Sequence, residues 1–285
     1  MAKKTFLDFE PYPKYKNCFV NSEVMTMLKS GDSICHYMPY SRLEDWINNL
    51  VMTFVSPSRW EDPFEKIYLH TTLLNLPNEK EYRPPRMACL CFTKSSFKDS
   101  AAFWKSFKIN ESTQLVRVIF DFKLMMAQLV KALEKQKMNV KIYVAAIDYS
   151  LSQESILDPK DLIKHIKKKS RSHQIEAESL YLKMLSCKRK AFDFENEIRV
   201  FLVPQNGEIK FNGNGCFEVK EMNYRSIIKK VWLEPIRLPM GWVSEDFAKE
   251  SLKKIRGKIH QSRLYDKQQK CKKIDWLQIT TKERG

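Results

Sequence analysis

Two carboxylates and a guanidinium alternate in Phe192-Asp193-Phe194-Glu195-Asn196-Glu197-Ile198-Arg199. Read as a strand from Phe194 to Val203, the segment puts Glu195, Glu197 and Arg199 on one face and Phe194, Ile198 and Val200 on the other. Two like charges that close cost energy unless a cation or a ligand is shared between them. Paired carboxylates of this kind can stabilise positive charge and move a proton. The plainer alternative is a half-buried edge strand with a solvated charged face. A second dense segment, Ser58-Arg59-Trp60-Glu61-Asp62-Pro63-Phe64-Glu65, adds three more acids. There Asp62-Pro63 also fits a turn or a helix start.

The elements that must position these residues are mixed. Strands are predicted over Ile34–Tyr40, Val51–Val55, Met87–Thr93, Leu115–Phe122, Val140–Ile147 and Ile227–Leu233, and a last one over Ile274–Thr280. Helices are predicted over Ser41–Asn49 with Ser41 as N-cap, Asp99–Phe107, Lys123–Gln136 and Ser244–Ile255. Asp158-Pro159 offers a further helix start, and Leu162–Cys187 reads as one or two helices. Asn78–Pro85 is polar and proline-rich and reads as a loop. Strands and helices do not alternate strictly, so the expected class is α+β, one domain over residues 1–285 with a helical insertion near 158–190.

Composition narrows the partners. The 285-residue chain carries a formal net charge of +16, from 50 basic and 34 acidic residues. That excess favours a polyanion, nucleic acid first. Its clusters are Lys164, Lys167, Lys168, Lys169 and Arg171, then Lys188, Arg189 and Lys190 just before the acidic segment. These cations would pair with phosphates, and Phe192 or Tyr181 could stack an unpaired base, favouring single strands. A solvated helix face explains the first cluster nearly as well. The seven cysteines show neither a disulfide framework nor zinc spacing, and the five histidines show no ligand spacing. No metal is expected. The N-terminus lacks a signal-peptide core and no apolar run is long enough to span a bilayer, so a soluble, reduced, cytoplasmic protein is expected. With seven glycines there is no Gly-rich phosphate loop.

The motif order resembles a bacterial family. His36-Tyr37 is followed by Ser56-Pro57, Asp62-Pro63-Phe64-Glu65, Cys91-Phe92-Thr93, Trp104 near Phe107, and Phe192-x-x-Glu195-x-Glu197-x-Arg199. This looks like domain-of-unknown-function family number 2971, over roughly residues 30 to 235. Trp60, Glu61 and Phe192 depart from its Phe, Asn and Trp. The order also resembles ADP-ribosyltransferases that act on nucleic acid, which bind NAD without a Gly-rich loop. That resemblance implies an ADP-ribosyltransferase-like mixed or antiparallel β core. It implies Glu197 as the catalytic carboxylate, Glu195 as its partner, and an NAD site including His36, Tyr37, Ser56 and Arg199. Counter-charge for Glu195 or Asp62 is the plainer role of Arg199, and core packing that of Tyr37 and Trp104. Lys188, Arg189, Lys190 and Lys168 would hold the acceptor strand, expected to be RNA. A toxin or phage-defence setting, with an antitoxin or chaperone partner, is implied only by the resemblance. Alternatives are a non-catalytic nucleic-acid-binding module and an NAD glycohydrolase.

Overall fold

The computed structural model describes residues 7–60, 62–66, 69, 72–76, 79–83, 86–95, 101–108, 113–151, 158–170, 176–235 and 244–262. The chain begins with strands β1 (Phe9–Pro11) and β2 (Cys18–Asn21), helix α1 (Ser22–Ser30), strand β3 (Ser33–Pro39), helix α2 (Tyr40–Asn49) and strand β4 (Met52–Val55). Helix α3 (Pro63–Lys66), hairpin β5 (Leu73–Leu76) and β6 (Glu79–Tyr82), β7 (Ala88–Lys94) and α4 (Ala101–Ser106) follow. Next come β8 (Leu115–Asp121), α5 (Phe122–Lys135), β9 (Val140–Ala146), β10 (Asp148–Leu151), α6 (Pro159–Lys169), α7 (Ala177–Met184) and β11 (Cys187–Arg189). The rest is β12 (Glu197–Pro204), β13 (Cys216–Val219), α8 (Tyr224–Ile227), β14 (Ile228–Leu233), α9 (Glu245–Ser251) and β15 (Ile259–Gln261).

Local chemistry sets many boundaries. Asn21 Oδ1 accepts from the Val24 amide to cap α1, and Gly31 ends that helix in the left-handed region at φ 75°. Asp121 caps α5 and Asp158 caps α6, with Pro159 in its first turn. Ser244 caps α9, but the helix expected to reach Ile255 stops at Ser251, and a 3-10 segment, Lys253–Lys258, continues to β15. Ser41 is not an N-cap: α2 starts one residue earlier, and Pro39 precedes it without a side-chain cap. Glu79–Tyr82 forms a strand rather than part of a loop, paired antiparallel with β5. The predicted strand Ile274–Thr280, with Glu61 and Arg171, lies outside the described residues.

The class is α+β. A large mixed sheet runs β1-β2-β9-β12-β7-β3-β8-β14-β15, and it forks at β7. The C-terminal end of β7 pairs with β3 through Ile34↔Lys94 and Cys35↔Thr93, while Cys89 near its other end pairs with Val55 of β4. Most pairings are antiparallel; β2–β9 and β14–β15 are parallel.

Alternation along the strands divides the core. Ile198, Val200 and Leu202 face one side with Leu90, Phe92, Val144 and Val118, beneath α1, α2, α5, α8 and α9. Phe201 and Val203 face the other side, beneath Leu162 and Ile166 of α6 and Leu180 to Met184 of α7. On this second side, the β3–β8 half is covered separately by Phe103 and Trp104 of α4. The cleft described below lies on this second side, between those two covers. The stretch near 158–190, where a helical insertion is expected, holds α6 and α7 followed by β11.

Candidate active site

The acidic pair reaches one place by a different route from the expected strand. Only Glu197 and Arg199 belong to β12; Glu195 ends a 3-10 turn, Lys190–Glu195, and Asn196 takes a left-handed conformation at φ 44° and ψ 51°. Asn tolerates that region better than most residues, and its side chain bonds back to the Asp193 carbonyl at 2.9 Å. The turn brings Glu195 back over the strand end. Lys188 is the shared cation: its Nζ donates to Glu195 at 2.6 Å and Glu197 at 3.5 Å and lies 3.9 Å from Glu65.

Arg199 sits beneath this pair, 1% exposed. Its Nε and one terminal nitrogen donate to the two oxygens of Glu197 at 2.8 Å each, the fork-on-fork geometry that only a guanidinium supplies. It also bonds Glu65 and the Leu185 carbonyl, and its plane covers Trp60 at 4.1 Å. Arg199 is thus the counter-charge of Glu197 and Glu65, rather than of Glu195 or Asp62. Asp62 is taken instead by Arg189, whose guanidinium lies between Phe64 at 4.2 Å and Phe192 at 4.9 Å.

These residues line a cleft of about 700 Å³, within the range of small-molecule sites. One wall is aromatic: Tyr37 stacks on Phe107 at 4.9 Å and packs against Phe103 and Trp104. Phe194, 41% exposed, meets Phe103 edge-on at 6.0 Å. The pairing Glu197↔Thr93↔Cys35 puts Glu197 and Tyr37 on the same face of the sheet. His36 points to the opposite face, stacked on Trp46 at 5.8 Å and against Phe92. Its Nδ1–H donates to the Cys91 carbonyl at 2.7 Å, close to where β3 and β7 part. That bond makes Nε2 the acceptor of the neutral ring. His36 and Phe92 reach the cleft at this fork.

Other expected site residues fall elsewhere. Ser56 caps the short Pro57–Arg59 turn, accepting from the Ser58 amide, and is not among the residues lining the cleft. Lys168 is exposed on α6 and also outside it. Lys188 and Arg189 are buried or half-buried in ion pairs, so of the second basic cluster only Lys190 is an exposed cation. Tyr181 is core, 1% exposed against Tyr82, and offers no face to a base. Tyr149 and Cys91 are additions that the sequence did not assign. The Tyr149 hydroxyl accepts from the Glu197 amide at 3.0 Å, and Cys91 lines the same cleft. No periodicity marks Tyr149, which follows the predicted strand by two residues.

The two glutamates are pushed apart in acidity. Burial would raise Glu197, but the Arg199 and Lys188 charges and the bonds from Arg199 outweigh it and hold it down at about 2. Glu195 is raised, because burial and the neighbouring Glu197 charge outweigh Lys188. His36 is lowered to about 4 by burial and Arg42, against its bond to Cys91, and is neutral near pH 7. The Cys91 thiol is pushed up by its bond to Cys89, by burial and by Glu197, which makes it a poor nucleophile.

A stability consequence follows for acid. Glu197 has its folded pKa below the unfolded value, so its contribution is complete above about 4.5 and is lost as pH falls through about 2. Glu195 acts in the opposite sense, since protonating it relieves a cost. From neutral pH down to about 4.5, wild type should therefore gain stability relative to Glu195→Gln, because the folded protein takes up the Glu195 proton before the unfolded chain does. Melting temperatures across that range check this; parallel curves would remove the linkage.

No family model matches the chain, and no curated protein or solved structure matches it. Among the described residues no helix is long and apolar enough to cross a membrane.

Proposed function

We propose that the cleft binds NAD, breaks its nicotinamide–ribose bond and transfers ADP-ribose to nucleic acid, with RNA as the acceptor. The observation that carries this is the pair Glu195 and Glu197, joined by one lysine and shifted in opposite directions. Carboxylates separated in this way take different roles in glycosidic chemistry. The C1′–N bond of NAD breaks and its electron pair passes to the pyridinium nitrogen, releasing neutral nicotinamide. The oxocarbenium-like ribose faces Glu197, whose negative charge stabilises it. An amine or hydroxyl of the acceptor then forms the new bond to C1′, and its proton passes to Glu195. Phe194 and Phe107 supply aromatic surface for the nicotinamide or a base.

The convergence of the first strand on the acidic pair rests here on Tyr37, since His36 faces away from Glu197. In this reading His36 holds the fork between β3 and β7. Such an enzyme would act as a toxin or defence effector and would be kept in check by an antitoxin or chaperone.

Incubation with labelled NAD and mixed RNA, DNA and protein tests the reading. Label on RNA is the expected result. Nicotinamide release without label on any polymer would make the protein a glycohydrolase, and no release at all would overturn both. Carboxylate chemistry on NAD needs no metal, so a chelator should leave turnover intact. Loss of turnover on chelation, with rescue by a divalent ion, would point to a nuclease or phosphatase.

A further inference from the structure

A second concavity, of about 460 Å³, is lined by Arg225, Lys253, Lys254, Ile255, Gly257 and Lys258, none of which lines the acidic cleft. Arg225 comes from α8 and the others from the 3-10 segment Lys253–Lys258. Lys258 ties the two walls together: its ammonium donates to the Arg225 carbonyl at 2.6 Å and to the Ile228 carbonyl. Four cations thus surround one hollow, and among the described residues no acid lines it. Lys253 pairs with Glu250, and both side chains are largely exposed. Such a pair contributes little and leaves the positive potential in place. Burial and the neighbouring Arg225 charge lower the Lys258 pKa.

We infer that this hollow is a docking site for the phosphate backbone of nucleic acid, separate from the acidic cleft. Two features favour a nucleic acid over an anionic membrane. The cations line a concavity, where successive phosphates of one strand can sit. The single apolar lining residue, Ile255, is 2% exposed, so nothing here is offered to acyl chains. The basic clusters that the sequence suggests for this role serve it poorly. Lys188 and Arg189 are spent on acids in the cleft, and Lys169 is paired with the buried Asp148.

The inference shares its partner class with the proposed function, and its test omits NAD so that the two stand or fall separately. Binding of a short, labelled, mixed-sequence RNA to the full chain is measured by anisotropy across a salt titration. Lys253→Glu with Lys254→Glu should weaken binding about tenfold or more and reduce the salt slope by about 1 or more. These residues are exposed, so the fold should tolerate the change. Gly257→Glu gives an independent check. Gly257 lines the hollow and a Cβ there meets nothing within 4 Å, so an acid added at this point should weaken binding as well. Wild-type affinity and salt slope in both variants would overturn the inference. So would tight binding to phosphatidylserine vesicles by a protein that binds no RNA.

Discussion

Glu197→Gln should lower ADP-ribose transfer by on the order of a hundredfold or more, mainly in kcat. The substitution keeps the volume and removes the charge. Glu197 is 6% exposed, so water cannot replace that charge beside a developing oxocarbenium. The amide also presents one acceptor where Arg199 now meets two, so some stability is lost with the rate. Assays well below the melting temperature, with NAD affinity measured in parallel, separate the two effects. Glu195→Gln should be milder and should change the pH profile, because the carboxyl with the raised pKa is the one that takes the proton. A folded Glu197→Gln protein that labels RNA at the wild-type rate would remove Glu197 from the chemistry.

The sequence made legible which residues meet, more than how they meet. Glu-x-Glu-x-Arg and Asp-Pro-Phe-Glu do converge, with Arg199 of one reaching Glu65 of the other across 134 residues. The strand reading failed at Asn196. Alternation predicts a shared face for Glu195 and Glu197, but a left-handed residue and a 3-10 turn bring them together instead. Nothing in hydrophobic period distinguishes those routes over so few residues. Lys188 and Arg189, read as part of a phosphate surface, turn out to be paired with acids, and the reason is different. A run of cations in sequence does not reveal its counter-charges, and Asp62 lies 127 residues from Arg189. The Asn78–Pro85 loop shows the same limit: Glu79–Tyr82 is polar, and its hairpin partner, rather than its composition, makes it a strand.

His36 illustrates how a register decides a role. Its position beside Tyr37 gives it equal standing in the sequence, yet adjacent strand residues point to opposite faces. Tyr37 shares the face of Glu197, and His36 bonds the Cys91 carbonyl close to where the sheet forks. The half-buried, satisfied histidine is the role its surroundings support.

Arg199→Leu should have the largest effect on stability. Its guanidinium neutralises Glu197 and Glu65, bonds the Leu185 carbonyl and covers Trp60. Leucine leaves two buried carboxylates with only Lys188 between them, and removing one member of a buried pair costs about 3–5 kcal/mol. A fall in melting temperature on the order of 10 °C is expected. Arg199→Lys keeps the charge and should recover only part of the loss, because an ammonium cannot hold both oxygens of Glu197 and the carbonyl at once. Combining Arg199→Met with Glu65→Gln and Glu197→Gln should recover more than the lysine, since it removes the charges that arginine leaves stranded. This order distinguishes a network built around Arg199 from a loose collection of contacts. An Arg199→Leu protein that melts close to wild type would mean that the cleft holds its shape without the guanidinium, and Lys188 would then be the cation that keeps the two glutamates together.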